Sequence, residues 1–404
     1  MNALTTLVAR QPILDQDLRT VAYEILFRSE RPIGDGHTSP EFATGEVGVQ
    51  ALLDIGLDRL VGRRRAWINV PRGILVSGMW EFFPPERVVL ELLETVEADP
   101  EVLESVQRAR SMGYEIALDD FVPTERTSPL LSYCDYVKLD VLGRTEAELE
   151  PLVKSVRGRG RRLLAEKVET HEMFELSRRM ECSLFQGYFF SRPKAITGRR
   201  LPNNRMVLLR VAATLQDERA SMEQVEELVR ADLGLSYRLL RYVNSAAVGL
   251  LAPIDSLRHA IMTLGTERVR ACIMVLLLTG REQRPDELIT ISLVRARFCQ
   301  LLARMQGLDP GQGFLVGLLS SIDAFLERDM TQLVQELGLA DDLAHALCRR
   351  EGPLGTVLQS AIACESAAWD SLAELGLDSG PARDTYLQAI DWSTHVEGGL
   401  SAGK

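Results

Sequence analysis

Residues 88–120 read VVLELLETVEADPEVLESVQRARSMGYEIALDD and contain two short aliphatic runs separated by a helical pattern. The first run ends in Glu91 and the second ends in the pair Asp119-Asp120. Between them, residues 101–112 carry apolar side chains at steps of three and four, which is typical of an amphipathic helix. The stretch therefore predicts a strand, a helix and a second strand, the unit from which parallel sheets are built.

The same rhythm continues on both sides of this stretch, up to about Pro193. Seven short β-branched or aliphatic runs are predicted strands, at residues 21–24, 66–69, 88–91, 116–119, 136–138, 163–166 and 184–186. Strands that alternate with helices predict a largely parallel sheet with both faces covered. The number of strands favours a closed (β/α)8-type barrel. An open doubly wound sheet stays possible, although its glycine-rich nucleotide-binding motifs are missing.

Beyond Pro193 the strand pattern stops and the chain is predicted to be all α. Helices are expected at residues 222–230, 236–244, 257–264, 266–278, 289–305 and 313–327. Prolines, a glycine and asparagines cluster between the two halves. We therefore expect a barrel domain over 1–193, a hinge over 194–204, a helical domain over 205–396 and a disordered tail over 397–404.

Composition narrows the class of protein. The net charge of −11 and the pI near 5.2 disfavour nucleic acid and anionic membranes as partners. The six cysteines have no metal-binding spacing and are predicted to be reduced thiols of a cytoplasmic protein. The most apolar run, residues 273–278, is far shorter than the ~20 residues needed to cross a bilayer.

Polar residues close all of the predicted strands. In a parallel barrel the carboxyl ends of the strands meet at one mouth, where chemistry is normally found. An acid at one strand end is usually a polar cap, but a whole ring of them would repel without a cation, and oxygen ligands suit Mg²⁺ or Mn²⁺. An aspartate pair can also bridge two metals, as in phosphodiester hydrolysis. The ring consists of Glu24, Asn69, Glu91, Asp119, Asp120, Lys138, Glu166 and Gln186.

Eight short motifs follow one another along this half of the chain. They are QPI at 11–13, YEILFR at 23–28, INV at 68–70, ELLE at 91–94, LDDF at 118–121, VKLD at 137–140, AEKVE at 165–169 and FQGY at 185–188. Their order resembles that of EAL domains, and the resemblance covers residues 8–193. It implies a TIM-like barrel that hydrolyses cyclic di-GMP to pGpG with two Mg²⁺ or Mn²⁺ ions.

The helical half resembles an HDOD domain, a module related to HD hydrolases. The matching segments are DLGLS at 232–236, LRYVNS at 240–245, IDSLRHAI at 254–261 and TLG at 263–265. The adjacent His-Asp pair that an HD hydrolase needs is missing from the sequence. The resemblance therefore implies a non-catalytic regulatory module that binds a protein partner, in an EAL-then-HDOD protein that can form a homodimer.

The EAL resemblance also implies a role for each motif residue. Lys138 would hold the attacking water, Gln186 would support it, and Glu169 would be an accessory acid. Arg28 would bind a phosphate, and Glu94 would steady the loop after the aspartate pair. The other implied substrate-binding residues are Gln11, Leu26 and Asp140. The implied metal ligands are Glu24, Asn69, Glu91, Asp119, Asp120 and Glu166, of which Glu166 also counts as catalytic.

Three departures from the EAL pattern leave two functions open. Ile25 stands where the family has alanine, and Lys167 stands where it has glycine, which brings a cation near the metals. The glycine-rich loop after Asp120 is replaced by residues 121–128, FVPTERTS. The complete ligand set favours a phosphodiesterase, which is the function we expect. The altered loop favours a catalytically inactive cyclic di-GMP receptor or protein-interaction scaffold.

Overall fold

The computed structural model describes residues 6–29, 48–49, 51–156, 160–189, 262, 286–326, 328–337 and 339–401. The chain divides into two compact units. The first contains Met1–Phe190 together with Ala363–Arg383, and the second contains Ser191–Ile362 together with Asp384–Lys404. The segment Ala363–Arg383, which the sequence places in the helical half, thus groups with the barrel.

The first unit is built on a closed barrel of eight strands in chain order, which confirms the predicted fold class. The strands are β1 Thr6–Asp15, β2 Thr20–Ser29, β3 Arg65–Val70, β4 Val88–Leu92, β5 Glu115–Leu118, β6 Tyr136–Asp140, β7 Arg162–Glu166 and β8 Leu184–Phe185. β1 is antiparallel to both β2 and β8, and the remaining neighbours are parallel.

Strand β1 is the element that the seven predicted strands lack. Its centre carries Gln11 and Pro12, and a proline normally argues against a strand interior because it cannot donate to the ladder. Pro12 nevertheless pairs with Tyr23 across the β1–β2 hairpin. β1 closes the barrel by pairing with β8 on its other side.

Helices follow the strands around the barrel, at Leu57–Val61, Arg72–Ser77, Pro100–Ser111, Glu146–Val156 and His171–Arg179. The third of them matches the helix predicted at residues 101–112. It begins at Pro100 because the side chain of Asp99 accepts a hydrogen bond from the backbone N–H of Val102. Its apolar stripe is buried as expected, with Val102, Val106 and Ala109 facing inward.

One side chain from each strand forms a buried layer inside the barrel. The layer consists of Ile13, Ala22, Trp67, Val89, Ala117, Tyr136, Leu164 and Leu184. The Trp67 and Tyr136 rings lie 4.7 Å apart, and the small Ala22 and Ala117 make room for them. The barrel is therefore filled by side chains below its mouth, as in other barrels of this size.

The second unit is helical in the part described. Its helices include Asp286–Met305, Pro310–Leu319, Ile322–Leu326, Met330–Leu337 and Asp341–Arg349. The first matches the helix predicted at 289–305. A Cβ on Gly317 would lie 2.3 Å from the carbonyl oxygen of Arg295, so only glycine allows the first two helices to pack this closely.

The single helix predicted at residues 313–327 is wrong, because it is broken at Ser320 and Ser321. The Ser321 and Ser292 hydroxyls lie 2.6 Å apart, and Arg295 Nη1 donates to Ser320 Oγ at 3.2 Å. These buried serines bond to the neighbouring helix instead of continuing their own.

Several expectations fall outside the described residues. They are the hinge at 194–204, the helices at 222–230, 236–244, 257–264 (apart from Met262) and 266–278, and the HDOD motifs.

At the C-terminus, the helix Gly352–Glu365 is followed by Trp369–Glu374 and Ser379–Ser401. The last of these helices extends to Ser401, over part of the predicted tail at 397–404.

Within the described ranges, none of the helices has the length and apolar character that spanning a bilayer would require.

The barrel layer should dominate the stability of the first unit. Leu164 is fully buried in it, so Leu164→Ala should lower the free energy of unfolding by about 2–5 kcal/mol through lost burial and a cavity. Denaturant unfolding followed by circular dichroism measures this. Leu142 is 47% exposed, so Leu142→Ala is the matched control and should change it by less than about 0.5 kcal/mol. Equal losses in the two variants would contradict the layer's role.

Candidate metal and phosphodiester site at the barrel mouth

The polar ring forms the next layer of the barrel interior. Side chains alternate between the two faces of a strand, so residues two apart share a face. Each parallel strand's contribution to the apolar layer is followed two positions later by a ring residue, as Trp67 is by Asn69 and Leu164 by Glu166. In the antiparallel β1 the order reverses, and Gln11 takes the equivalent place above Ile13. Barrel closure therefore brings the ring together, as the sequence predicts.

Lys138 is the centre of this layer. Its ammonium lies 3.2 Å from Glu24 Oε2, 3.1 Å from Asp119 Oδ1 and 2.5 Å from Glu166 Oε1, and it also contacts Glu91 Oε1. The Lys138 side chain is 1% exposed and that of Glu91 is 0% exposed. One buried cation thus faces four acidic side chains.

Amide side chains complete the network around Glu24. Gln186 donates to Glu24 Oε2 at 2.7 Å and to Gln11 Oε1 at 2.8 Å. Asn69 donates to Glu24 Oε1 at 3.2 Å. Gln186 is held here because Gly187 follows it with φ +142°, and a Cβ at that position would lie 2.2 Å from the carbonyl oxygen of Val168. The described network thus joins Gln11 and Gln186 to the predicted ligands.

Two groups of carboxylates have the spacing that a metal ion needs. Glu24, Glu91 and Glu166 offer oxygens within 4.8 Å of one another, and so do Asp119, Asp120 and Glu166. Glu166 belongs to both groups, as a ligand shared by two metals would. We call them the first cluster and the second cluster.

The donor atoms fit hard divalent cations. Glu91 Oε2, Gln186 Oε1, Asn69 Oδ1 and Asp120 Oδ1 are buried without a hydrogen-bond donor. A buried oxygen without a donor is costly unless a cation satisfies it. All of these donors are carboxylate or amide oxygens, which Mg²⁺ and Mn²⁺ accept as ligands.

The acids of the layer differ in pKa because burial and neighbouring charges act on them to different extents. Burial raises the pKa of Glu91 well above its ordinary value, with the Glu24 charge adding to the rise. Burial likewise raises the pKa of Glu166 to about 8, although Lys138 opposes it. For Glu24 the charge of Lys138 and the amide hydrogen bonds outweigh burial, and its pKa is lowered. Because Glu91 and Glu166 are shielded from solvent, they hold protons when no metal is bound. A bound cation would displace these protons.

The residues expected to bind substrate are distributed along the rim. Leu26 and Arg28 follow Glu24 at two-residue steps on β2 and so share its face. Ile25 is fully buried on the opposite face, so it does not line the mouth. Arg28 Nη2 donates to Asp370 Oδ1 at 2.7 Å, and Asp370 belongs to the segment 363–383 of the same unit. The same segment accepts a hydrogen bond from Tyr188 Oη at the Glu365 carbonyl, at 3.2 Å.

The loop after the aspartate pair is held by residues that the sequence does not single out. Arg126 pairs with Glu97 at 2.9 Å, and its carbonyl accepts from the N–H of Ala98 at 2.8 Å. Glu94, the residue expected to steady this loop, is exposed. Glu169 is half-buried after β7 and belongs to neither cluster. The roles of Glu94 and Glu169 stay predictions.

Lys167 pairs with two of the predicted site residues. Its ammonium lies 2.5 Å from Asp140 Oδ2 and 3.6 Å from Asp120 Oδ2. The sequence places a cation near the metals, but it does not reveal that Asp140 is its main partner.

Two domain families match the chain. The EAL domain matches residues 81–193 and the HDOD domain matches residues 201–342. The chain is similar to cyclic di-GMP phosphodiesterase CdgJ of Vibrio cholerae, with 36% identity over 97% of this chain and 93% of the relative. It is also similar to the uncharacterized protein YuxH of Bacillus subtilis, with 33% identity over 95% of this chain and 97% of that protein.

Among solved structures, the chain resembles the Bacillus subtilis YkuI protein, which has an EAL domain and is in complex with cyclic di-GMP and calcium. The identity is 19% and the TM-score 0.39, over 64% of this chain and 72% of that one.

The eight-stranded barrel with this polar layer and the helical half thus correspond to the two families that match the chain. The chain belongs to the EAL–HDOD family, since relatives of more than 30% identity match it along nearly its whole length.

The raised pKa values predict how pH and metal act on stability. Glu166 has a pKa of about 8 in the folded chain against an ordinary 4.5, so the folded chain binds more protons between these values and its free energy of unfolding falls as pH rises. A divalent cation offsets this loss. Mn²⁺ should therefore raise the melting temperature by roughly 2–4 °C more at about pH 8 than at about pH 6.

Differential scanning fluorimetry measures this difference. The control is Glu166→Gln, which cannot titrate and should give a flatter metal-free profile across this range. An equal Mn²⁺ effect at both pH values would contradict the assignment.

Proposed function

We propose that the barrel hydrolyses cyclic di-GMP to linear pGpG with the help of two divalent cations, Mg²⁺ or Mn²⁺. The observation that carries the proposal is the single interior layer in which two carboxylate clusters share Glu166 around the buried Lys138. Such a layer suits a phosphodiester, whose reaction needs a neutralised phosphate and an activated water. The relative CdgJ, which is named a cyclic di-GMP phosphodiesterase, supports the choice of substrate.

The chain's own residues would divide the work of holding metals. Glu24, Asn69 and Glu91 would hold one cation, Asp119 and Asp120 the other, and Glu166 would bridge them. When bound, the cations neutralise phosphate charge and lower the pKa of the attacking water.

The remaining residues would act on water and substrate. The Lys138 ammonium stands among the ligands and would donate a hydrogen bond to the attacking water, which fixes its position and adds positive charge beside the phosphate. Gln186 would support the same water through its amide. Once Arg28 leaves Asp370, its guanidinium would donate two hydrogen bonds to a pair of phosphate oxygens. Leu26, Gln11 and Asp140 would contact the rest of the ligand.

For the helical half we propose a regulatory role through a protein partner, with a homodimer as the working form in the cytoplasm. The lack of a His-Asp pair in the sequence supports a non-catalytic module. Its family match, residues 201–342, ends before the segment that contacts Arg28.

One observation favours the second candidate, a receptor that binds cyclic di-GMP without hydrolysing it. Lys167 directs a positive charge at Asp120 in the second cluster, where a cation would have to bind. A receptor of this kind would keep Arg28 and lose only the water-activating step.

Turnover separates the two candidates. The purified chain with cyclic di-GMP and Mn²⁺ should form pGpG, followed by chromatography, and Asp119→Ala should lower the rate by about 10²-fold or more because the ligands lose their arrangement. Asp17 is an exposed acid in the turn at the other end of the barrel, so Asp17→Ala is the matched control and should keep the wild-type rate.

Equal turnover in wild type and Asp119→Ala would rule out the catalytic site described above. If the wild-type protein forms no pGpG but calorimetry detects cyclic di-GMP binding, the protein is a receptor.

Asp370 should compete with the ligand for Arg28. The side chains of this ion pair are 47% and 85% exposed, and solvent weakens pairs that are this exposed. Asp370→Ala should therefore tighten cyclic di-GMP binding by up to about fivefold. Calorimetry in EDTA measures affinity without turnover. Glu374→Ala, an exposed acid in the same short helix, is the control and should have no effect. Weaker binding in Asp370→Ala would contradict the competition.

A further inference from the structure

Lys167 occupies an unusual backbone position next to the shared ligand. It directly follows Glu166 at the end of β7 and has φ +54°, in the left-handed region that favours glycine. Asp120 directly follows Asp119 and has φ +38°. Both positions therefore hold side chains that the backbone accommodates only at a conformational cost. In these conformations the two side chains meet above the clusters, with Lys167 Nζ 3.6 Å from Asp120 Oδ2.

The two oxygens of the Asp120 carboxylate have different surroundings. Its Oδ1 is buried without a hydrogen-bond donor, while its Oδ2 faces the Lys167 ammonium. Asp120 also belongs to the second cluster, with Asp119 and Glu166. The first cluster differs in this respect, because neither Glu24 nor Glu91 pairs with Lys167 in the described ranges. A charge on Lys167 therefore acts unequally on the two clusters.

We propose that Lys167 is a positioning residue that weakens divalent-cation binding at the second cluster, so that the two metal positions fill at different metal concentrations. The inference rests on the proposed metal site. The ammonium repels a cation bound to Asp120 and competes with it for the same carboxylate. Lys138 contacts all three acids of the first cluster and two of the second, so its charge does not single out the second cluster.

The size of the effect follows from Coulomb's law. In water-like surroundings, the repulsion between one positive charge and a divalent cation about 6 Å away lowers the affinity for that cation by roughly tenfold. The Lys167 side chain is 48% exposed, so the ammonium can turn toward solvent when a metal arrives. That movement gives up the 2.5 Å contact with Asp140, which then becomes available to the ligand. Filling of the second cluster and release of Asp140 are thus linked.

Metal titration without cyclic di-GMP tests the proposal. Isothermal titration calorimetry of Mn²⁺ into the full chain should show a tight and a weak class of site. Lys167→Met removes the charge and keeps the chain length, so it should tighten the weak class by about tenfold and leave the tight class unchanged. Lys167→Gly should do the same, while Lys167→Arg, which retains the charge, should resemble wild type.

Two further variants identify the sites. Asp120→Asn should abolish the weak class and Glu24→Gln the tight one. Lys154, a lysine paired with Glu150 on a barrel helix, supplies the matched control, and Lys154→Met should change neither class. Unchanged affinities in Lys167→Met, or an equal shift in Lys167→Arg, would overturn the role of the Lys167 charge while leaving the proposed function intact. If no variant binds Mn²⁺, both the inference and the proposed metal site fail.

Discussion

The contact of one buried ammonium with four carboxylates is the constraint around which the barrel mouth is organised. Lys138 pairs with Glu24, Glu91, Asp119 and Glu166, each from a different strand or strand end. Buried acids without a counter-charge would repel one another and open the mouth, so Lys138 allows the barrel to close before any metal is present. Because one positive charge cannot balance four ionised acids, burial raises the pKa of Glu91 and Glu166, and the metal-free layer holds protons there.

The same electrostatics connects the centre of the site to its rim. Each basic side chain around the mouth has an acidic partner in the described structure: Lys138 the inner acids, Lys167 the pair Asp120 and Asp140, and Arg28 the distant Asp370. Under the proposed function, a metal or a phosphate at the mouth would compete with these partners, so its affinity would depend on the ion pairs already formed there.

Much of the site could be predicted from sequence because strands impose a period of two. Every ring residue except Asp120, which directly follows Asp119, ends a predicted strand, and closure brings these strand ends to one mouth. The first strand, Thr6–Asp15, is not among the predicted strands because Pro12 near its centre argues against a strand. The helix at 313–327 was predicted as continuous because periodicity does not register Ser320 and Ser321 bonding to a neighbouring helix. Asp370 could not be found, because it is 342 residues from Arg28.

The fold class, the polar ring and its oxygen-rich chemistry can be read from the amino-acid sequence, since they follow from local periodicity and residue type. The folded chain is needed to see which acids face Lys138, that Glu166 belongs to both clusters, and that Lys167 pairs with Asp140. These contacts depend on distances in space, which separation along the chain does not give. Lys138 and Glu24 are 114 positions apart along the chain, and only closure of the barrel brings them into contact.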